Sequence, residues 1–391
     1  MRVVRQRPPL PMQSESRKRQ ASELPSIDLS LLAVLVLLAG CGLALLFSAS
    51  HYYGGLVFDD EFHFLRRQAV YLLVGLVAAG VAAVARLERL RRLTPALLAV
   101  TLILVVLTFV PGIGARALGA QRWINIAGQS FEPSELVKLA LVLYLAHILS
   151  KKETNLHTSP FATTILPPLL VTGGFAALIY LQNDFSSAFF LLFLAVSIFF
   201  VAGVRVRYFL ALGSVSLPLG ALLLLSRDHR MQRLISFVDP TVDPAGSGYQ
   251  VLAARAAVSS GGVWGRGIGQ GEMKLGGVPE AHSDFVFAVI GEELGLIGVL
   301  LVLSLFCALA WRGLQIARAE QDRFRGLLAF GITAAIVGQA FLNMAVVSGL
   351  LPATGLPLPF FSAGGSSLLV SLIMCGLLVN VSRRETKREL S

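Results

Sequence analysis

Residues 29–47 read LSLLAVLVLLAGCGLALLF, nineteen positions with no charge and no proline. The hydrocarbon core of a bilayer is about 30 Å thick and takes about twenty helical residues to cross. The run is therefore read as a membrane span. A basic segment precedes it and Ser48-Ala49-Ser50 follows, which resembles a cleavable signal. The apolar run is long for a signal, the leader before it is longer still, and further apolar runs follow. It is read as an uncleaved first helix.

Working outward, candidate spans cover approximately 29–48, 69–86, 95–111, 134–150, 162–181, 185–203, 208–226, 285–311, 326–348 and 364–381. In hydrocarbon each backbone N–H and C=O needs a partner within the segment, so these runs are helices. Strands of alternating hydrophobicity, as a membrane barrel requires, are absent. The fold class is an all-α integral membrane protein of about ten transmembrane helices, with a long loop (227–284) between the seventh and eighth. Residues 1–27 are polar and basic without helical periodicity and read as a disordered tail. Residues 28–382 form the membrane domain, and 383–391 a second basic tail.

Composition agrees. Of 391 residues 55% are hydrophobic and 14% charged, with mean hydropathy +0.72. A soluble domain carries nearer a quarter charged residues. The net charge of +10 argues for a topology signal and against nucleic acid, because the basic residues sit in short loops between apolar runs. Of 33 Lys and Arg, 22 fall on the side of the two termini. The positive-inside rule then makes both termini cytoplasmic and 227–284 extracytoplasmic. Cys41, Cys307 and Cys375 lie inside apolar runs with no metal or disulfide spacing, and read as small core residues. Gly261–Gly271 lacks the strand-to-helix setting of a dinucleotide loop and reads as a tight backbone path.

Charge at membrane depth is costly and usually faces a cavity or a partner. Four clusters at the outer ends of helices stand out. Arg122-Trp123 precedes Glu132-Pro133-Ser134-Glu135-x-x-Lys138, where Glu135 and Lys138 share a helix face. They are read either as a self-neutralising pair or as a cation held for an anionic headgroup. Asp184 sits in a tight turn, where capping the next helix is the plain alternative. Glu280, His282, Ser283 and Asp284 crowd the start of the eighth helix, and Asp284 is placed either as a cap or as a general base. In the fourth, residues 351–367, three prolines forbid a regular helix, and Gly364-Gly365-Ser366 opens the last span with N–H groups that favour an anion. These features describe an outward-facing amphipathic cavity. It suits an enzyme acting on a lipid-linked anionic substrate better than a transporter, whose site lies at the midplane.

The motifs Gly119-Ala120-x-Arg122-Trp123, Pro133-Ser134-Glu135-x-x-Lys138, Pro279-Glu280-Ala281-His282-Ser283-Asp284-Phe285, Gly291-Glu292-Glu293-Leu294-Gly295 and Gly364-Gly365-Ser366-Ser367 resemble those of the SEDS family (FtsW, RodA, SpoVE) over about 29–381. The resemblance implies a peptidoglycan glycosyltransferase that polymerises lipid II on the outer face of the bacterial cytoplasmic (inner) membrane. By it Asp284 is catalytic, and Arg122, Glu135, Lys138 and Asp184 match functionally sensitive positions. Trp123, Arg233, Glu280, His282, Ser283, Gly364, Gly365 and Ser366 complete the candidate substrate-binding set. Asn183-Asp184-Phe185-Ser186 departs from the usual Pro-Asp-Leu-Gly, which bears on the Asp184 assignment. Pro-Glu-Ala-His and Gly-Glu-Glu-Leu-Gly look like the FtsW, septal branch, while Gly355-Leu356-Pro357-Leu358-Pro359 leans toward the RodA, elongation branch. A lipid II flippase or a non-catalytic divisome scaffold are the rival readings. The implied partners are lipid II, a class B penicillin-binding protein transpeptidase, other divisome membrane proteins and membrane lipids. The transpeptidase is expected to dock laterally on the eighth and ninth spans, whose small residues (Gly295, Gly298, Ala308; Gly331, Ala335, Gly338) permit close packing. No cofactor is assigned; a divalent cation (Mg or Mn) is the alternative counter-charge for the leaving diphosphate.

Overall fold

The computed structural model describes residues 28–389 apart from 118, 127–128, 152–160, 226–227, 243–246, 273–274 and 276–281. The tail 1–27 and Glu280, both singled out by the sequence, lie outside the described residues. Ten long helices are present: α1 (Leu29–Phe58), α2 (His63–Val84), α3 (Leu87–Leu107), α4 (Pro133–Ser150), α6 (Leu166–Leu181), α7 (Phe185–Val201), α8 (Val206–Leu225), α11 (Val286–Ala319), α12 (Arg323–Val347) and α13 (Gly365–Glu389). A single turn, α5 (Phe161–Thr164), precedes α6. Seven are long and apolar enough to cross a membrane, and α6 and α7 are shorter apolar helices.

The elements differ from the expected spans chiefly at their ends. Helix α1 is capped by Asp28, whose carboxylate accepts from Leu31 N at 3.0 Å. It runs ten residues past 48 and ends where Asp59 turns left-handed. Ser48, Ala49 and Ser50 are buried inside it, so the triplet is helix core. The arginines of the expected 86–94 loop lie mostly on the first turns of α3, and α13 carries on through the second basic tail as far as Glu389. Boundaries keyed to charge fall short because a helix continues past the hydrocarbon wherever its polar turns meet water. Among the cysteines, Cys375 is buried, Cys41 half-buried and Cys307 exposed, so the core reading fails for Cys307.

Two connections carry structure of their own. Residues 112–133 hold an antiparallel sheet, β1 (Gly114–Ala117), β2 (Ala120–Ile126) and β3 (Gln129–Phe131), in the order β1-β2-β3. The long loop holds α9 (Asp228–Val238) and α10 (Ser247–Gly261). After α10 the glycine-rich stretch wraps a break in α11, where Gly295 has φ 63° and ψ −158°. The carbonyls of Glu292 and Glu293 accept there from Arg266 N (3.0 Å) and Gly267 N (2.9 Å). A Cβ on Gly265 would stand 2.1 Å from the Glu293 carbonyl oxygen, so only glycine passes. The stretch is a backbone path, as its sequence context suggests. The side chains of Glu292 and Glu293 are held as well. Glu292 Oε1 accepts from Glu272 N at 2.9 Å, and Glu293 Oε2 from Ser48 Oγ at 2.6 Å.

Helices α4, α12 and α13 are the most buried spans. Their neighbours α1, α2 and α3 expose broad apolar faces, including Leu73, Val77 and Val81 of α2, as lipid-facing helices do. Because successive spans alternate in direction, the sheet, α9, α10, the start of α11 and the segment 351–364 all gather at one end of the bundle.

Candidate functional site

At that end the site is built on a strand and three helix starts. Arg122, on β2, reaches across the bundle end to Asp184, with Nη1 to Oδ2 at 2.8 Å, and its Nε lies 3.7 Å from Glu132 Oε1. Its guanidinium lies over the Trp123 ring at 4.4 Å. The strand is held in register with α7 because Gln121 N donates to the Gln182 carbonyl at 3.0 Å. Asp184 does cap α7, accepting from Ser187 N at 3.0 Å, while its other oxygen takes Arg122. The capping reading of this residue is therefore realised, and the same carboxylate also pairs with Arg122, its Oδ2 accepting from the Ser187 hydroxyl as well at 2.8 Å.

Electrostatics follow from this packing. Burial alone disfavours the Arg122 charge, but Glu132 and Asp184, with a smaller contribution from Asp284, raise its proton affinity above the usual arginine value. Asp284 thus lies within electrostatic reach of Arg122. Burial pushes the Glu132 carboxyl up to about 7, with Arg122 opposing and Glu135 and Asp184 adding to the rise. A carboxyl whose folded pKa is raised stabilises the fold below its unfolded value, and that contribution is lost as pH climbs through the folded one. Glu132→Gln keeps an acceptor for the Ser134 hydroxyl, which lies at 2.8 Å. Thermal midpoints of variant and wild type should coincide near pH ~4, with the variant ahead by a few degrees near pH ~8. Parallel curves over that range would show that Glu132 does not titrate there.

Lys138, on α4, is 8% exposed and donates to Glu135 Oε2 at 2.6 Å and to Gln339 Oε1 at 2.5 Å. Gln339 in turn donates from Nε2 to the Pro357 carbonyl at 2.8 Å. Four residues on, Asn343 Nδ2 donates to the carbonyls of Asp284 (2.7 Å) and Leu356 (2.8 Å). Gly355, at φ 71°, lies so close to Asp284 that an added Cβ would stand 3.5 Å from Oδ2. Next to it the Thr354 hydroxyl is buried and makes no hydrogen bond among the described residues, as does Ser367. The structure thus brings Arg122, Asp184, Glu135, Lys138 and Asp284 to one end of the bundle: Lys138 and Asp284 are tied through α12 and the 351–364 segment, and Arg122 joins Asp184 to Glu132 at the start of α4.

The remaining candidates lie around this cluster or apart from it. His282 is stacked on Tyr53 (4.7 Å) and close to Phe64 (4.6 Å), and burial pushes it down to about 4, so it is neutral at ordinary pH. Its carbonyl accepts from Ala363 N at 2.8 Å, pinning the start of α11 to the 351–364 segment. Ser366 Oγ accepts from Glu132 N at 3.0 Å, which ties this hydroxyl to the α4 start and leaves its O–H to donate. At Gly365 an added Cβ would stand 2.2 Å from the Tyr71 ring, which explains the glycine by close approach. Gly364 and Ser283 are half-buried at the same end. Arg233 is exposed on α9, and none of the described contacts joins it to the others. Glu132, Gln339, Asn343 and Thr354 escaped the candidate set. The available signal was two amides four apart in an apolar span, since buried amides at membrane depth are as demanding of partners as charges.

Comparison with known proteins follows the same residues. The family model FTSW_RODA_SPOVE, described as "Cell cycle protein", matches residues 28–387. A Geobacter sp. (strain M18) protein named "Probable peptidoglycan glycosyltransferase FtsW" is 42% identical over 357 residues, 91% of this chain and 97% of its own length. Stage V sporulation protein E of Bacillus subtilis (strain 168) is 37% identical over 358 residues, covering 92% of this chain and 97% of that protein. Among solved structures, a chain from work on structural coordination of polymerization and crosslinking by a peptidoglycan synthase complex aligns with TM-score 0.74 at 29% identity. It covers 92% of this chain and 98% of that one. The rod shape determining protein RodA of Thermus thermophilus aligns with TM-score 0.67 at 29% identity, over 92% and 97% of the two chains.

Proposed function

This chain belongs to the family of FtsW, RodA and SpoVE cell cycle proteins, and we propose that it is a peptidoglycan glycosyltransferase that polymerises lipid II for the septal wall. The observation that carries the reading is the meeting of a carboxylate and two cations at one bundle end. Asp284 lies within electrostatic reach of Arg122, and Asn343 and Gln339 tie Asp284 and Lys138 to one proline-rich segment.

The chemistry needs a hydroxyl of one lipid-linked disaccharide to attack the anomeric carbon of another. Asp284 takes the hydroxyl proton as the new glycosidic bond forms. The bond to the lipid diphosphate breaks as it does so, and the charge that develops on the diphosphate meets Lys138 and Arg122. The Thr354 hydroxyl, next to Gly355 and Asp284, offers buried hydrogen-bonding capacity near the reacting groups. Among the described residues no group of three or more His, Cys, Asp or Glu side chains converges as a ligand set, so a cation cage built from protein donors alone does not fit them. We assign the counter-charge to the two basic side chains; a divalent cation carried in by the diphosphate would need only one or two carboxylates beside it. Polar groups concentrated at one end, with apolar spans beyond, favour this enzyme over a flippase, which needs polar groups across the bilayer. Incubating the purified full chain with labelled lipid II in detergent should yield glycan strands resolved on a gel; monomer only would sink the reading.

The lipid II headgroup must then reach this end from outside the cell. The positive-inside count orients the termini to the cytoplasm. Reporters fused after Lys387 and within 312–325 should read as cytoplasmic, and one within 227–284 as extracytoplasmic. A cytoplasmic result for the long loop would put the site on the wrong side of the membrane.

A glycan polymerase leaves peptide cross-links unmade, so a class B penicillin-binding protein is the expected partner, checked by co-purification from membranes. The small residues of the ninth span do not supply its docking face. A Cβ on Gly331 would stand 2.7 Å from Val142, and Gly338 faces Phe190 and Phe193, so both are packed inside the bundle. The exposed Leu296, Ile297, Leu300 and Leu301 of α11 remain as an apolar lateral surface.

A further inference from the structure

We infer that Gln339 and Asn343 are positioning residues with separate duties, Gln339 presenting Lys138 to the diphosphate and Asn343 placing the Asp284 carboxylate against the attacking hydroxyl. The inference rests on the polymerase reading. Both side chains are almost fully buried, Gln339 at 2% and Asn343 at 1% exposure, and they lie four residues apart on one face of α12. A lysine ammonium only donates and a proline carbonyl only accepts. The Gln339 amide is therefore fixed, with Oε1 toward Lys138 and Nε2 toward Pro357. Asn343 spends both N–H groups on carbonyls, one of Asp284 and one of Leu356.

The need for these amides comes from the segment they hold. Pro352, Pro357 and Pro359 forbid a helix there, so its buried carbonyls must find donors from outside. Two of those donors also touch the reacting groups. Lys138 would otherwise relax wholly onto Glu135 three residues away, and its charge would be spent locally. Gln339 shares the ammonium without neutralising it, and the third N–H is left for a ligand oxygen. Asn343 acts at the other end: it holds the backbone of Asp284 and the neighbour of Gly355 together, which sets where the carboxylate lies.

The two duties separate in kinetics. Gln339→Met keeps the shape and removes both hydrogen bonds; KM for labelled lipid II should rise about tenfold with kcat within about threefold. Asn343→Asp removes the two donors; kcat should fall about thirtyfold with KM nearly unchanged. Where either variant fails to purify as a monodisperse protein, Gln339→Asn, which keeps a neutral amide at shorter reach, and Asn343→Ser, which keeps one donor, are read in its place for the same KM-against-kcat split, at smaller size. Variants that match wild type, or that lower kcat and raise KM alike, overturn the inference while the polymerase reading stands. A wild-type chain that makes no glycan overturns both.

Discussion

Asp284→Asn should leave a folded, membrane-inserted protein that binds lipid II and polymerises it at least about a hundredfold more slowly. General-base catalysis contributes roughly 10²–10⁴ in rate, and asparagine has neither the charge nor the basic lone pair to supply it. The structure makes this a cleaner test than the sequence allowed. One plain alternative was a capping role, in which the side chain would hold the start of the eighth helix. Helix α11 begins at Val286 behind Phe285, and one contact that anchors the turn is the Asp284 carbonyl accepting from Asn343 at 2.7 Å. That contact uses the main chain, which the substitution leaves in place. The neighbouring anchors, Ala363 N to the His282 carbonyl and the stacking of His282 on Tyr53, are likewise untouched. Loss of activity with an unchanged thermal midpoint is the expected pair of results. Near wild-type polymerisation would remove Asp284 from the chemistry and move weight to the flippase or scaffold.

The bundle was legible because spans are dictated by length and hydropathy, and these are local properties of the chain. Nineteen uncharged residues after Asp28 cannot do much else in a membrane. The ends were less legible. Helix α1 goes on to Phe58 and α11 to Ala319, since nothing in a polar turn forbids helix once it has left the hydrocarbon. The β1-β2-β3 sheet was missed because its strands are at most seven residues long and its register depends on Gln121 meeting Gln182 across the chain. For the site, charged residues declared themselves by their cost at membrane depth, and five of them do gather. What no local pattern reveals is which partner each one finds. Lys138 pairs with Glu135 as the three-residue spacing suggests, yet its other partner lies two hundred and one residues away on α12. Neutral amides carry no charge signal, so Gln339 and Asn343 are marked in the sequence only by their four-residue spacing in an apolar span, and their partners come from the proline-rich segment that hangs from them. Gly331 misled in the opposite direction. A small residue in a span reads as a docking surface, and here it is filled by Val142 from α4.

Lys138 carries the second large effect, and its partner decides how it must be tested. Lys138→Ala should abolish most polymerisation, raising KM and lowering kcat, because a cation meets the diphosphate in the ground state and meets it more strongly as charge develops. The same change strips Glu135, whose side chain is 5% exposed, of its ion pair. Removing one member of a buried pair costs roughly 3–5 kcal/mol through the charge left behind, enough to lower expression by itself. The single variant thus mixes two effects. Replacing both members, Glu135→Gln with Lys138→Met, removes the stranded charge, and such paired replacements are often neutral for stability. The double variant should recover the wild-type thermal midpoint and remain inactive, with lipid II binding weakened by about tenfold or more. Glu135→Gln alone frees Lys138 from its carboxylate and should bind the diphosphate at least as tightly as wild type. If the double variant regained both stability and polymerisation, the pair would be no more than a self-neutralising contact at the bundle end, and the diphosphate would have to find its counter-charge in Arg122. Recovery of stability without activity separates the two roles, since folding then depends on the balance of the pair and catalysis on the ammonium itself.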